Sequence, residues 1–304
     1  MKNDLILFAK GLAMGAANVI PGVSGGTIAL ITGIYKRLIA ALSSIDGEAL
    51  THIKARDFRT LWQKVDGRWL CVLMAGVVAS ILTLARLFEW LLTHHERHTM
   101  AFFFGLILVS VLYVGQRVSA WRPTTWLALL IGTAIAIAIA TLAPASPNAS
   151  PLYVFLCGVL AISSMILPGL SGSFVLIILG NYALVLGAIN DLDLGILVPL
   201  AAGCAIGLPL FSYALNWVFE HHEDLTLALM TGFVMGSLMV IWPWKHVISE
   251  RVDRGGGEFK DIVIGYDWFM PSMAAGETWI ALGLMLAGAI VIWSMETGAS
   301  RLQS

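Results

Sequence analysis

The chain has 304 residues, 58% of them hydrophobic and only 12% charged, with a formal net charge of -1. A soluble domain of this size carries about twice that charged fraction, and so neutral a chain offers no electrostatic footprint for nucleic acid. Cys71, Cys157 and Cys204 all fall inside apolar runs, so they read as packing residues, with neither a disulfide framework nor a metal site.

The apolar residues gather into runs long enough to cross a hydrocarbon core of about 30 Å, which predicts an all-α polytopic membrane protein. Met1-Lys2-Asn3-Asp4 leads straight into the first run without a small-residue cleavage site, so it is not read as a signal peptide. The first half, 1–147, holds a hairpin over 5–45 (arms 5–20 and 22–45) and three spans, 69–93, 99–116 and 124–143. The second, 148–304, holds a hairpin over 152–189 and spans 194–219, 225–244 and 277–295. Between them lies the polar, uncharged stretch 144–151, and 46–68 and 245–276 read as loops.

The halves repeat each other. Pro21-Gly22-Val23-Ser24-Gly25-Gly26 recurs as Pro168-Gly169-Leu170-Ser171-Gly172-Ser173, and Ile31, Gly33 and Tyr35 recur as Ile178, Gly180 and Tyr182. Trp90 with His94-His95-Glu96 matches Trp217 with His221-His222-Glu223, and Thr125-Trp126 matches Thr278-Trp279. Matches in preserved order indicate an internal duplication. Each junction between hairpin arms is too short for a solvent loop, so the hairpin returns to its own side and three spans follow. An odd net number of crossings inverts the second half relative to the first, as in many secondary transporters.

Lys36, Arg37, Lys54, Arg56, Arg59, Lys64, Arg68, Arg117 and Arg122 crowd one side, which places both termini in the cytoplasm of an inner-membrane protein. Lys36 and Arg37 follow the Gly-rich turn so closely that a fully crossing second arm would leave them in hydrocarbon, at high cost. Re-entrant hairpins are therefore expected, with six full crossings.

The two Pro-Gly-x-Ser-Gly turns carry the strongest chemical signal. Proline ends one helix, glycine opens the backbone, and Ser24, Thr27, Ser171 and Ser173 stand where the next helix begins. Hydroxyls and first-turn N–H groups together suit an anion. The alternative is a tight turn with small residues for close packing. Asn18, Pro21, Gly22, Ser24, Gly25, Gly26 and Thr27, with Pro168, Gly169, Ser171, Gly172 and Ser173, form the candidate substrate site. Arg86, inside a span, adds a planar fork for a phosphate, and Glu89, three residues on, either pairs with it or holds it until ligand arrives. Lys10 is a further candidate, or a side chain that snorkels to the interface. The His-His-Glu motifs fall on opposite faces under inversion and read as span ends. No paired carboxylates, metal cluster or nucleophile–base pair can be assembled on one face, which argues against an enzyme.

The opening Gly11-x-x-x-Gly15-Ala-Ala-Asn18-Val-Ile-Pro21-Gly22-Val-Ser24-Gly25-Gly26-Thr27, with its echo Leu167-Pro168-Gly169-Leu-Ser171-Gly172, resembles the signature of the bacterial polyprenyl-phosphate transporter family, formerly a membrane domain of unknown function. The resemblance spans nearly the whole chain. It implies a flippase that returns undecaprenyl phosphate, the carrier lipid of cell-envelope synthesis, from the outer to the cytoplasmic leaflet. No cofactor is implied, and a coupling ion, proton or sodium, is left open. The residues alone reach only a transporter of something anionic, so an ion-coupled transporter of a small water-soluble anion is the other expectation.

Overall fold

The computed structural model describes residues 2–19, 24–253, 259–273 and 276–301. Helices dominate, as the composition requires, and the chain is a multi-pass membrane protein. Among the described residues, five helices are long and apolar enough to cross a bilayer: α6 (Gly67–His94), α7 (Glu96–Gly115), α8 (Pro123–Thr141), α12 (Leu194–His221) and α14 (Gly276–Arg301).

The sixth expected crossing, 225–244, is shorter than its apolar run. Helix α13 (Glu223–Ser237) has 15 residues, a rise of about 22 Å. Pro243 forbids continuation, and the backbone tightens ahead of it: Leu238, Met239 and Val240 donate to Met235, Gly236 and Ser237, each three residues back.

The hairpins depart from the expected pair of arms. In the first, α1 (Lys2–Val19) is followed by two short helices, α2 (Gly25–Ile31) and α3 (Tyr35–Ser43), bent by 120° at their junction. In the second, α9 (Pro151–Ile166) precedes α10 (Gly172–Ile178) and α11 (Tyr182–Asp191), bent by 110°. The same device makes both bends. Gly33 and Gly180 each have φ +74°; Gly33 and Ile34 donate to Leu30 and Ala29, and Gly180 and Asn181 to Ile177 and Leu176. This is the glycine-terminated helix end that a residue with a Cβ adopts only at a cost.

The expected loop 46–68 holds two short helices, α4 (Gly47–Lys54) and α5 (Phe58–Lys64), capped by Asp46 and Asp57. The expected loop 245–276 is corrected more sharply. It contains an antiparallel hairpin of β1 (Lys245–Asp253) and β2 (Phe259–Trp268), with a bulge at Ile248/Ser249. Its glycine-rich tip, 254–258, lies outside the described residues.

Glycines set the helix packing. Space for a Cβ at Gly15 is taken by Val77 and Ser80, and at Gly11 by Leu73 and Gly76, so α1 and α6 climb together in one direction. Gly158 and Gly207 place α9 and α12 likewise in one direction. Gly132, Gly232 and Gly236 do the same for α8 with α13, and the series Arg97–Glu277, Gly105–Met285 does it for α7 with α14. The tight turns between long helices also correspond. His94 and His221 stack on Trp90 and Trp217, and Thr99 and Thr226 donate to the carbonyls of His95 and His222 at 2.9 and 2.8 Å.

Candidate functional site

Pro21 and Gly22 of the first motif fall outside the described residues. From Ser24 onward the motif is closed upon itself. Ser24 Oγ caps α2 by accepting from Gly26 N at 3.1 Å, and the Ser24 carbonyl accepts from Thr27 N at 2.9 Å. Asn18, at the end of α1, accepts from Gly25 N at 2.7 Å. The first-turn N–H groups of α2 are thus satisfied by protein, so this turn is not the vacant cradle that the sequence suggested.

The second motif differs. Pro168, Gly169 and Leu170 are buried, and Gly169 has φ +79° with Phe233 O against the place of a Cβ. Ser171 occupies the N-cap position of α10 without capping it; its hydroxyl instead pairs with that of Ser173 at 2.9 Å. The position equivalent to Asn18 is Met165, whose side chain packs where a Gly172 Cβ would stand. An amide in one half is a thioether in the other, so α10 lacks the side-chain acceptors that close α2.

The two motifs meet. Thr27 Oγ1, fully buried, accepts from Gly169 N at 2.9 Å. Ser24 Oγ reaches Met165 O and Leu167 O, both at 3.4 Å, and Tyr35 OH donates to Ile166 O at 3.0 Å. The last carbonyls of α9 have no partners within their own helix, and the first half supplies them.

The cations lie elsewhere than at the turns. Lys10 Nζ donates to Thr32 O at 2.7 Å, and the guanidinium of Arg117 donates to Leu30 O and Ile31 O, both at 2.8 Å. Both therefore hold the C-terminal end of α2, where orphan carbonyls and the helix dipole favour positive charge. In the second half, neutral groups take the same duty: Ala145 N donates to Ile178 O and Tyr153 OH to Leu179 O, each at 2.8 Å. Buried Asn181 pins the linker by exchanging hydrogen bonds with the Asn148 backbone. Arg86 is exposed on α6, about two turns beyond Ser80, which faces Gly15. It therefore stands just past the level at which α1 ends. The side chain of Glu89 lies outside the described residues.

On the face bearing Lys36 and Arg122, a cleft of about 410 Å³ opens between residues 119–125 and the His221–Asp224 turn. Lys36 pairs with Glu223 across its edge, and Ser119 N donates to Asp224 at 2.8 Å. Arg117, Tyr35 and Asn181 were missed as site-shaping residues in the sequence. The sequence carried no signal for them, because the groups they serve, at the ends of α2 and α9 and in the linker, become neighbours only in the fold.

The profile of a family described as undecaprenyl phosphate translocase-like matches residues 14–259. A polyprenyl-phosphate transporter of Vibrio cholerae serotype O1 is 39% identical over 302 residues, 98% of each chain. A polyprenyl-phosphate transporter of Staphylococcus aureus is 33% identical over 252 residues, 77% of this chain and 84% of that one. No solved structure matches.

Proposed function

This chain belongs to the undecaprenyl phosphate translocase-like family, and from that premise we propose that it carries undecaprenyl phosphate from the outer to the cytoplasmic leaflet of the inner membrane. The observation that carries the reading is the junction of the two hairpin tips, where Thr27 meets Gly169 and Ser24 reaches the end of α9. Irregular backbone at membrane depth is tolerated where it lines a protein cavity, and in transporters that is where substrate binds.

The phosphate is received on the open side of this junction. Its donors are the hydroxyls of Ser171 and Ser173, the uncapped first turn of α10, and the exposed amide of Asn18. Arg86 supplies the countercharge with a bidentate fork. Ser24, Gly25, Gly26, Thr27, Pro168, Gly169 and Gly172 shape the junction, and Pro21 and Gly22 are assigned to the same site by their sequence match to Pro168 and Gly169. Lys10 acts through the end of α2. Glu89 holds Arg86 between turnovers.

Inverted repeats account for the packing directions. With the second half upside down, α7 and α14 both descend and α8 and α13 both ascend, which agrees with the shared direction of each pair. Alternating access then consists of one hairpin tip moving over the other, with both termini cytoplasmic and catalysis no part of the cycle.

The test is a leaflet-resolved assay of undecaprenyl phosphate in cells lacking or overproducing the protein. Loss should enlarge the outer-leaflet pool and overproduction should shrink it. An unchanged outer pool in both strains would refute lipid translocation.

A further inference from the structure

The outward end of the molecule holds a charged and apolar arrangement that the hairpin tips do not use. Lys245, at the start of β1, is largely buried: its ammonium donates to Val240 O and lies 4.3 Å above the Tyr266 ring. Among the described residues no carboxylate lies within ion-pairing distance of it. A largely buried ammonium with no carboxylate paired to it is costly, and such a charge is normally matched by an anion.

Beside it is an apolar cavity of about 420 Å³ walled by Phe104, Met239, Trp242, Trp268, Phe269 and Met270. The indole N–H groups of its two tryptophans are already engaged, Trp242 to Phe269 O at 3.2 Å and Trp268 to Met239 O at 2.8 Å. The cavity therefore offers ring faces and sulfur, with little to bind a polar solute. Trp268 adjoins Tyr266, with ring centroids 5.8 Å apart, so the wall of the cavity continues into the seat of the ammonium.

Depth orders the two parts. The carboxylate of Glu96, the first residue of α7, lies near enough to Lys245 to oppose in part the effect of its desolvation, whereas Phe104 lies eight residues further along α7, about 12 Å deeper. A ligand fitting both has its negative charge at the interface and its unsaturated chain pointing inward. That is how an isoprenoid phosphate sits in the outer leaflet. We propose that Lys245 and the Trp242–Trp268 cavity form a receiving site, where the lipid's phosphate meets the ammonium and its first isoprene units fill the cavity before transfer to the hairpin tips. The inference rests on the substrate and orientation proposed above, and it adds a second, outer site for the same lipid.

The test uses the purified full chain with farnesyl phosphate as probe, farnesol and inorganic phosphate as comparators, and tryptophan fluorescence as readout. Wild type should bind farnesyl phosphate more tightly than either comparator. Lys245→Met, close in volume and uncharged, should weaken farnesyl phosphate about tenfold to a hundredfold while leaving farnesol unchanged. Met270→Glu places a negative charge on a rim residue of the cavity that is 84% exposed, and should weaken farnesyl phosphate more than farnesol. Equal binding of farnesyl phosphate by wild type and both variants would overturn the site. Transport of undecaprenyl phosphate in proteoliposomes is measured in parallel. Normal transport with no farnesyl phosphate binding sinks the receiving site alone. Binding that Lys245→Met abolishes, with no transport by wild type, sinks the proposed function and leaves an outer lipid-phosphate site.

Discussion

Gly26 lies so close to Ile166 that a Cβ placed on it would stand 2.5 Å from the Ile166 carbonyl oxygen. One glycine thus fixes how near the first hairpin tip comes to the second. Gly26→Ala should push α2 away from α9 at a cost of about 1–3 kcal/mol, and transport should fall at least tenfold with normal membrane insertion. Gly47→Ala, where nothing stands within 4 Å, should leave transport unchanged. Wild-type transport by Gly26→Ala would show that the close junction is dispensable.

Arg86 is assigned the countercharge to phosphate. Arg86→Ala should abolish transport while the protein remains folded, and Arg86→Lys should restore part of it, because an ammonium lacks the bidentate fork. An unfolded Arg86→Ala together with equal damage from Glu89→Gln would indicate an ion pair that serves the fold.

Arg117 predicts the opposite pattern. Its guanidinium serves two carbonyls at the end of α2, so Arg117→Met should cost about 1–3 kcal/mol of local stability. Hydrogen exchange in α2 and α3 should rise, while farnesyl phosphate binding to the purified protein stays within twofold. Unchanged exchange with weakened binding would move Arg117 into the substrate site.

The outer hairpin should respond to pH. Desolvation lowers Lys245 from 10.5 to about 8, against the opposing influence of Glu96 on α7, and raises Tyr266 on β2 from 10.0 to about 12. A lysine with a lowered folded value binds fewer protons when folded, so stability rises with pH between about 8 and 10.5. The penalty is fully present below pH 8, and the shift is worth about 3 kcal/mol. Tyr266 acts in the reverse sense, but only above pH 10. Exchange in β1 and β2, corrected for intrinsic rates, should therefore slow from pH 7.5 to 9.5. Lys245→Met should flatten the dependence; a slope surviving in that variant would exclude Lys245 as its source.

Orientation can be read with single cysteines at Arg59, Ser146 and Gly256 in a background lacking Cys71, Cys157 and Cys204. An impermeant thiol reagent on intact cells should label positions 146 and 256 and spare 59. The reverse pattern would invert the topology and remove the basis for an outer receiving site.

The residues that announce the fold are local ones. Pro168, Gly169 and the repeated Ser-Gly pair are legible because a helix break is encoded by its own few residues. The second bend in each hairpin was hidden, since 22–45 reads as one apolar arm and only the φ of Gly33 reveals the interruption. The β-hairpin was hidden too, because mixed charge around a glycine run reads as loop. Least legible was who satisfies whom. Tyr35 meets Ile166, and Arg117 meets Leu30, across distances in sequence that no spacing rule covers. Nor does the sequence show that Asn18 and Met165, at equivalent positions, differ in role, the first accepting from Gly25 N and the second packing on Gly172.

The different fastening of α2 and α10 bears on the duplication and inversion proposed above. A broken helix needs donors at its C-terminal end wherever it sits, and a freshly copied half would have brought Lys10 and Arg117 along with their duty. In the orientation proposed here, those copies would lie at the outer surface, where they would pull the second half toward the cytoplasm and against its fold. Cys157 now stands in the place of Lys10, and a tyrosine hydroxyl and a linker amide serve the carbonyls instead. On that proposal, uncharged donors let the second half keep its bend without the cations that would have turned it toward the cytoplasm.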